Sequence, residues 1–103
     1  MLTIEELCRH AGETAIAKGW WDNSNSRTFG DLIALIHSEV SEALEEYRKY
    51  GDPNHEAVAE EFADILIRIG DLCHHYDIDL GTATHKKLMK NKIRSYRHGG
   101  KHL

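Results

Sequence analysis

Two acidic pairs carry the chemistry that the residue types allow: Glu39-Val-Ser-Glu42 and, further along, Glu61-Phe-Ala-Asp64. Carboxylates three apart lie on one face of a helix, so each pair can act together. Four acids gathered at one place repel one another and are costly to desolvate, so a cation should compensate them. An oxygen-only set, with no cysteine and no evident histidine partner, suits a hard ion, Mg²⁺ or Mn²⁺. Mg²⁺ keeps several waters and is commonly shared with substrate phosphates, which points to phosphate-ester or anhydride chemistry. Equally open on residue physics is a solvated acidic face, in which Glu42, Glu45 and Glu46 meet water and Glu61 pairs with Arg68 or a lysine.

A second candidate set is basic. Lys87, Asn91 and Arg94 stand at i, i+4 and i+7, with Lys90 nearby on the same side. Such a row offers donors to phosphate oxygens, and arginine can contact them in bidentate fashion. The bland alternative is a solvated basic surface at a helix C-terminus, where cations also offset the helix dipole.

The elements that must position these residues read as helices throughout. Thr3-Ile-Glu-Glu6 has the form of a capping box and opens a helix from about Ile4 to Lys18. The stretch from Gly19 to Gly30, rich in Asn, Ser and Gly, is a loop that carries Trp20 and Trp21. A second helix is expected from about Asp31 to Tyr50, stopped by Gly51 with Pro53 beyond. A third follows from about His55 to Tyr76, capped by Asn54, and a fourth from about Leu80 to Arg97, capped by Asp77 or Asp79. The tail from His98 onward is expected to fray. No segment alternates with period two, so the expected fold is all-α, an up-and-down bundle of about four helices.

With each residue turned about 100° from the last, the second and third helices share one design. Taking Glu39 as zero, Leu32, Ile33, Ile36, Val40, Ala43, Leu44 and Tyr47 fall between roughly 20° and 140°. Taking Glu61 as zero, Val58, Phe62, Ile65, Leu66, Ile69, Leu72, Cys73 and Tyr76 fill the same arc, with Arg68 near −20°. Each acid pair therefore follows the edge of an apolar stripe. Antiparallel packing through those stripes would bring the two pairs to the rim of a shared core.

The 103 residues suffice for one domain with a thin core, which self-association would extend. A net charge of −4 argues against general nucleic-acid binding, which favours a basic face. The N-terminal MLTIEELCRH has no signal-peptide character and no apolar run is long enough to span a bilayer, so a cytoplasmic location is expected. Cys8 and Cys73 have no metal or redox spacing and fit a reducing compartment. The absence of ExxH pairs argues against a di-iron bundle of the ferritin-like kind.

Taken together, the ExxE pair, the later ExxD pair and the following Lys87, Asn91 and Arg94 resemble the MazG-like, all-α nucleoside triphosphate pyrophosphohydrolases. The likeness runs from about Ile33 to Lys101, through EEFADILIRIGDLCHHYDIDL and KLMKNKIRSYRHGGK. It implies a single MazG-like domain that hydrolyses a (deoxy)nucleoside triphosphate to the monophosphate and pyrophosphate, clearing aberrant or surplus nucleotides. Glu39, Glu42, Glu61 and Asp64 would be the Mg²⁺ ligands and the catalytic set. One of them, or a neighbour such as Glu46, would orient the attacking water. Lys87 and Arg94 would neutralise phosphate charge, with Asn91 as a polar contact. Trp20 or Trp21 could stack on a nucleobase, with Asn23, Asn25 or Arg27 at its edge, or the pair could simply cover the end of the core. The resemblance also implies a homodimer or homotetramer with sites near subunit interfaces. The alternatives are an enzyme like phosphoribosyl-ATP pyrophosphatase and a non-catalytic helical interaction module.

Overall fold

The helices start where short polar side chains can satisfy their free backbone N–H groups. In the computed structural model, which describes residues 1–23 and 27–94, Thr3 and Glu6 form the expected capping box ahead of α1 (Ile4–Ala17). A second box was not anticipated. Thr28 accepts from the Asp31 N–H, the Asp31 carboxylate accepts from the Thr28 N–H, and α2 (Phe29–Tyr50) therefore begins two residues before Asp31. In both boxes the backbone N–H of the threonine, then its hydroxyl, holds the acid below its ordinary pKa. The cap of α3 (Glu56–His75) is His55, whose Nδ1 accepts from the Ala57 N–H at 3.1 Å. Asn54 is not the cap; its N–H is turned to Asp52 Oδ1. Asp79 caps α4 (Leu80–Ile93), accepting from the N–H and the hydroxyl of Thr82.

Gly51, at φ 67°, closes α2 in the left-handed conformation that glycine tolerates best. Helix α4 ends at Ile93, earlier than expected, with Arg94 extended. The expected continuation to Arg97, the tail from His98, and Asn25 lie outside the described residues. Among the described residues there are four α-helices and no strand, and no helix is long and apolar enough to cross a membrane.

Helix α3 is the centre, with α1 against one flank and α2 against another; α4 touches α1 only lightly. The α2–α3 pair is antiparallel. Phe29 meets Tyr76 at one end, Glu39 meets Arg68 midway, and Tyr50 stacks on His55 at the turn. The α1–α3 seam is lined by small residues, with Ala11, Gly12 and Ala15 on α1 and Gly70 on α3 all buried. The closeness of the approach requires the glycine at Gly12 and favours a small residue at Gly70. A Cβ on Gly12 would run into the ring of His74, and one on Gly70 would press on Ala11 and the Cys8 backbone at 3.4 Å. Cys73 is buried and Cys8 half-buried, both as free thiols whose pKa is raised by burial.

The apolar stripes divide in a way their periodicity does not foretell. Helix α2 turns its acid-bearing edge to α3, so the buried positions are Glu39 and Ala43. The far half of the arc is left uncovered: Val40 is 51% exposed, Leu44 56%, Phe62 56% and Leu66 53%, with Ile33 and Tyr47 also exposed. The reason is topological. The helix that might have covered this face, α1, is spent on the opposite flank of α3. Glu39 and Glu61 consequently sit in the α2–α3 seam itself, while Glu42 and Asp64 are exposed at its rim.

Candidate functional site

Antiparallel packing brings the two acidic pairs together. Glu39, Glu61 and Asp64 each offer a carboxylate oxygen, and these atoms lie within 4.8 Å of one another. Glu42 is exposed one turn along α2, and its charge reaches Glu61. Glu61 bears the cost of the arrangement. Desolvation first, then the negative charges of Glu42, Asp64 and Glu39, push its carboxyl above the ordinary 4.5. Its Oε2 is shut off from solvent and has no hydrogen-bond partner among the described residues. Buried oxygens normally find a donor or a cation, so this one marks an unmet need.

Glu39 is compensated. Arg68, one helical turn beyond Asp64 on α3, donates from Nε to Glu39 Oε1 at 2.7 Å. The side chain of Glu39 is only 11% exposed and that of Arg68 40%, so the acid is enclosed while part of the guanidinium remains open. The sequence offered Arg68 as a partner for Glu61; the structure pairs it with Glu39. Its place on the acid edge, at i+4 from Asp64 and i+7 from Glu61, is the signal that could have singled it out.

Two of the acids, Glu39 and Asp64, border an open cleft of about 730 Å³. Its floor is α3 and its walls are α1 and α2, reaching from Glu39 and Asp64 past Arg68 and Asp71 to Trp20, Trp21 and Arg27. From Asp64 to Asp71 the cleft runs about 10 Å along the helix axis. His10 and Thr14 of α1 line it as well, and neither was singled out by its position in the sequence.

The neighbouring tryptophans differ. Trp21 is half-buried; its Nε1 donates to Asp71 Oδ1 at 2.9 Å and its ring stacks on His75 at 3.5 Å, with Tyr76 edge-on. It is a packing residue that ties the loop to α3. Trp20 is 59% exposed on the cleft, with the Arg27 guanidinium 5.2 Å from its ring centre. An aromatic face beside a cation at the end of a cleft can take a flat ring.

Lys87 and Asn91 on α4, and Arg94 just past its end, are exposed and are not among the residues lining this cleft. Within one chain, the arginines that line it are Arg27 and Arg68.

No family model matches the chain, and neither a curated protein nor a solved structure does.

Proposed function

We propose that the protein is a Mg²⁺-dependent nucleoside triphosphate pyrophosphohydrolase of the MazG-like kind, acting in the cytoplasm, with water cleaving the α–β anhydride to give the monophosphate and pyrophosphate. The observation that carries this reading is the convergence of Glu39, Glu61 and Asp64 within 4.8 Å, with Glu42 beside them and a cleft lined by Glu39 and Asp64. The donor set is entirely oxygen, and Glu61 holds an unpartnered buried oxygen, which suits a hard cation. Bound Mg²⁺, or Mn²⁺ in its place, would supply charge neutralisation and polarisation of phosphate oxygens.

The chain's own residues divide the remaining work. Glu39, Glu42, Glu61 and Asp64 would hold the cation, which would supply charge neutralisation for the triphosphate end of the substrate. Trp20 and Arg27 offer the base a stacking face at the far end of the cleft. Leu32, Leu35 and Ile67 keep the intervening walls apolar and limit water beside the acids. The uncovered face of Val40, Leu44, Phe62 and Leu66 favours a homodimer or homotetramer, because contiguous exposed aliphatic and aromatic side chains mark association surfaces. In such an assembly Lys87, Asn91 and Arg94 would serve a neighbouring subunit's phosphates.

The test is a panel of ribo- and deoxyribonucleoside triphosphates incubated with the protein and Mg²⁺, scored for monophosphate and pyrophosphate. Turnover of at least one, lost on chelation, is expected. No turnover on any, together with no rise in melting temperature on adding Mg²⁺ or Mn²⁺, would leave the helical interaction module as the better reading.

A further inference from the structure

We propose that Arg68 is an exchangeable counter-ion: it neutralises Glu39 while the acids hold no cation, and it transfers to the substrate's phosphate oxygens when a divalent cation takes Glu39. This inference rests on the hydrolase reading above and assigns Arg68 a role that the acidic motif does not.

Three features of the cleft lead to it. First, Arg68 spends its Nε on Glu39 Oε1, and Glu39 is one of the carboxylates that converge. With Arg68 on Oε1, a divalent cation on the other oxygen of the same enclosed carboxylate would lie close to the guanidinium, and the two positive charges would repel in a site of reduced dielectric, which favours exchange over sharing. Second, arginine has five N–H donors in a planar fork, and among the described residues Nε alone is engaged. The side chain is 40% exposed and lines the cleft, so the rest of the fork has room to turn. Third, Arg68 lies one turn beyond Asp64, between the acids and the Trp20–Arg27 end, where a triphosphate anchored on the acids would pass.

The exchange couples two binding events. Cation binding at Glu39 frees a guanidinium for phosphate, and phosphate that captures the guanidinium leaves Glu39 free for the cation. Each ligand therefore strengthens the other, and the coupling is reciprocal. In the empty protein the same contact lowers the repulsion among the acids and keeps α2 against α3.

The experiment compares wild type, Arg68→Gln and Arg68→Lys, each checked by circular dichroism for unchanged helical content. Calorimetric titration with Mn²⁺ alone, without nucleotide, is the primary readout. Arg68→Gln removes the competing charge and should bind Mn²⁺ about fivefold or more tightly than wild type. Arg68→Lys keeps a charge near Glu39 and should stay close to wild type. With the best triphosphate of the panel, Arg68→Gln should raise KM about tenfold or more, and Arg68→Lys, which lacks the fork, should raise it less. An unchanged or weaker Mn²⁺ affinity in Arg68→Gln, or an unchanged KM, overturns the exchange. If wild type binds Mn²⁺ and turns over substrate while Arg68→Gln behaves like it, only the role of Arg68 fails. If wild type neither binds Mn²⁺ nor turns over, the hydrolase reading itself falls.

Discussion

Helix α3 makes two seams of opposite character. Against α1 it packs small residues so closely that Gly12 leaves no room for a Cβ and Gly70 only just enough. Against α2 it places Glu39, Glu61 and Arg68 between the helices, with one carboxylate oxygen unpaired among the described residues. The first seam gains stability from close contact, since dense packing collects many weak attractions. The second gives stability up, since enclosed acids raise the energy of the folded chain unless a counter-charge arrives. A chain this short can carry an unfavourable seam because the other flank of the same helix is held by steric fit.

The strongest way to separate the seams is Glu61→Gln. Removing a ligand charge from the acidic seam should reduce turnover by about a hundredfold or more and weaken Mn²⁺ binding in step. Stability should not fall with it. The pKa of the Glu61 carboxyl is raised in the folded chain, so folding is favoured by its protonation. That contribution is fully present below the ordinary 4.5 and is lost as pH rises through the raised folded value. Melting curves across the acid-to-neutral range should show wild type losing stability with rising pH at this step, and Glu61→Gln lacking the loss. Saturating Mn²⁺ should remove it from wild type as well. Turnover that survives Glu61→Gln would detach the acidic seam from the chemistry.

Gly12→Val addresses the other seam. A branched side chain where even a Cβ meets the His74 ring forces α1 away from α3, at a cost of about 3 kcal/mol. The melting temperature should drop by about 10 °C or more. Because Glu39, Glu61 and Asp64 belong to α2 and α3, the Mn²⁺ affinity of the folded fraction should change little. A variant as stable as wild type would show that the α1–α3 contact is not what holds the fold.

The helices and the acid motif were legible because they rest on local rules. Caps such as Thr3 and Asp79 and the stop at Gly51 act within a few residues, and ExxE spacing places both acids on one face. The part that stayed hidden depends on which neighbour covers which arc of a helix. Both halves of the α2 stripe look alike on a helical wheel, and the way α2 packs on α3, with α1 on the other flank, decides that Ala43 is buried while Leu44 is not. The pairing of Arg68 with Glu39 escaped for the same reason, since it joins residues on two helices. Thr28 was overlooked although its signal was local: Thr-Phe-Gly-Asp has the capping-box spacing with Asp in place of Glu.

Trp20 and Trp21 join the two seams, since their loop runs from the end of α1 to the start of α2, and they provide the finest test. Adjacent in sequence, they are indistinguishable by type and spacing. Trp21→Phe keeps an aromatic ring against His75 but removes the donor to Asp71, leaving a half-buried carboxylate short of one hydrogen bond. It should cost about 1–2 kcal/mol in stability, read from denaturant midpoints, with KM near wild type. Trp20→Ala removes an exposed ring that has Arg27 above it. It should leave the midpoint within about 0.5 kcal/mol of wild type and raise KM for the preferred triphosphate several-fold through lost stacking, about 1 kcal/mol. If the two effects are exchanged, with Trp20 governing stability and Trp21 governing KM, the base end of the cleft has been drawn on the wrong side of the loop.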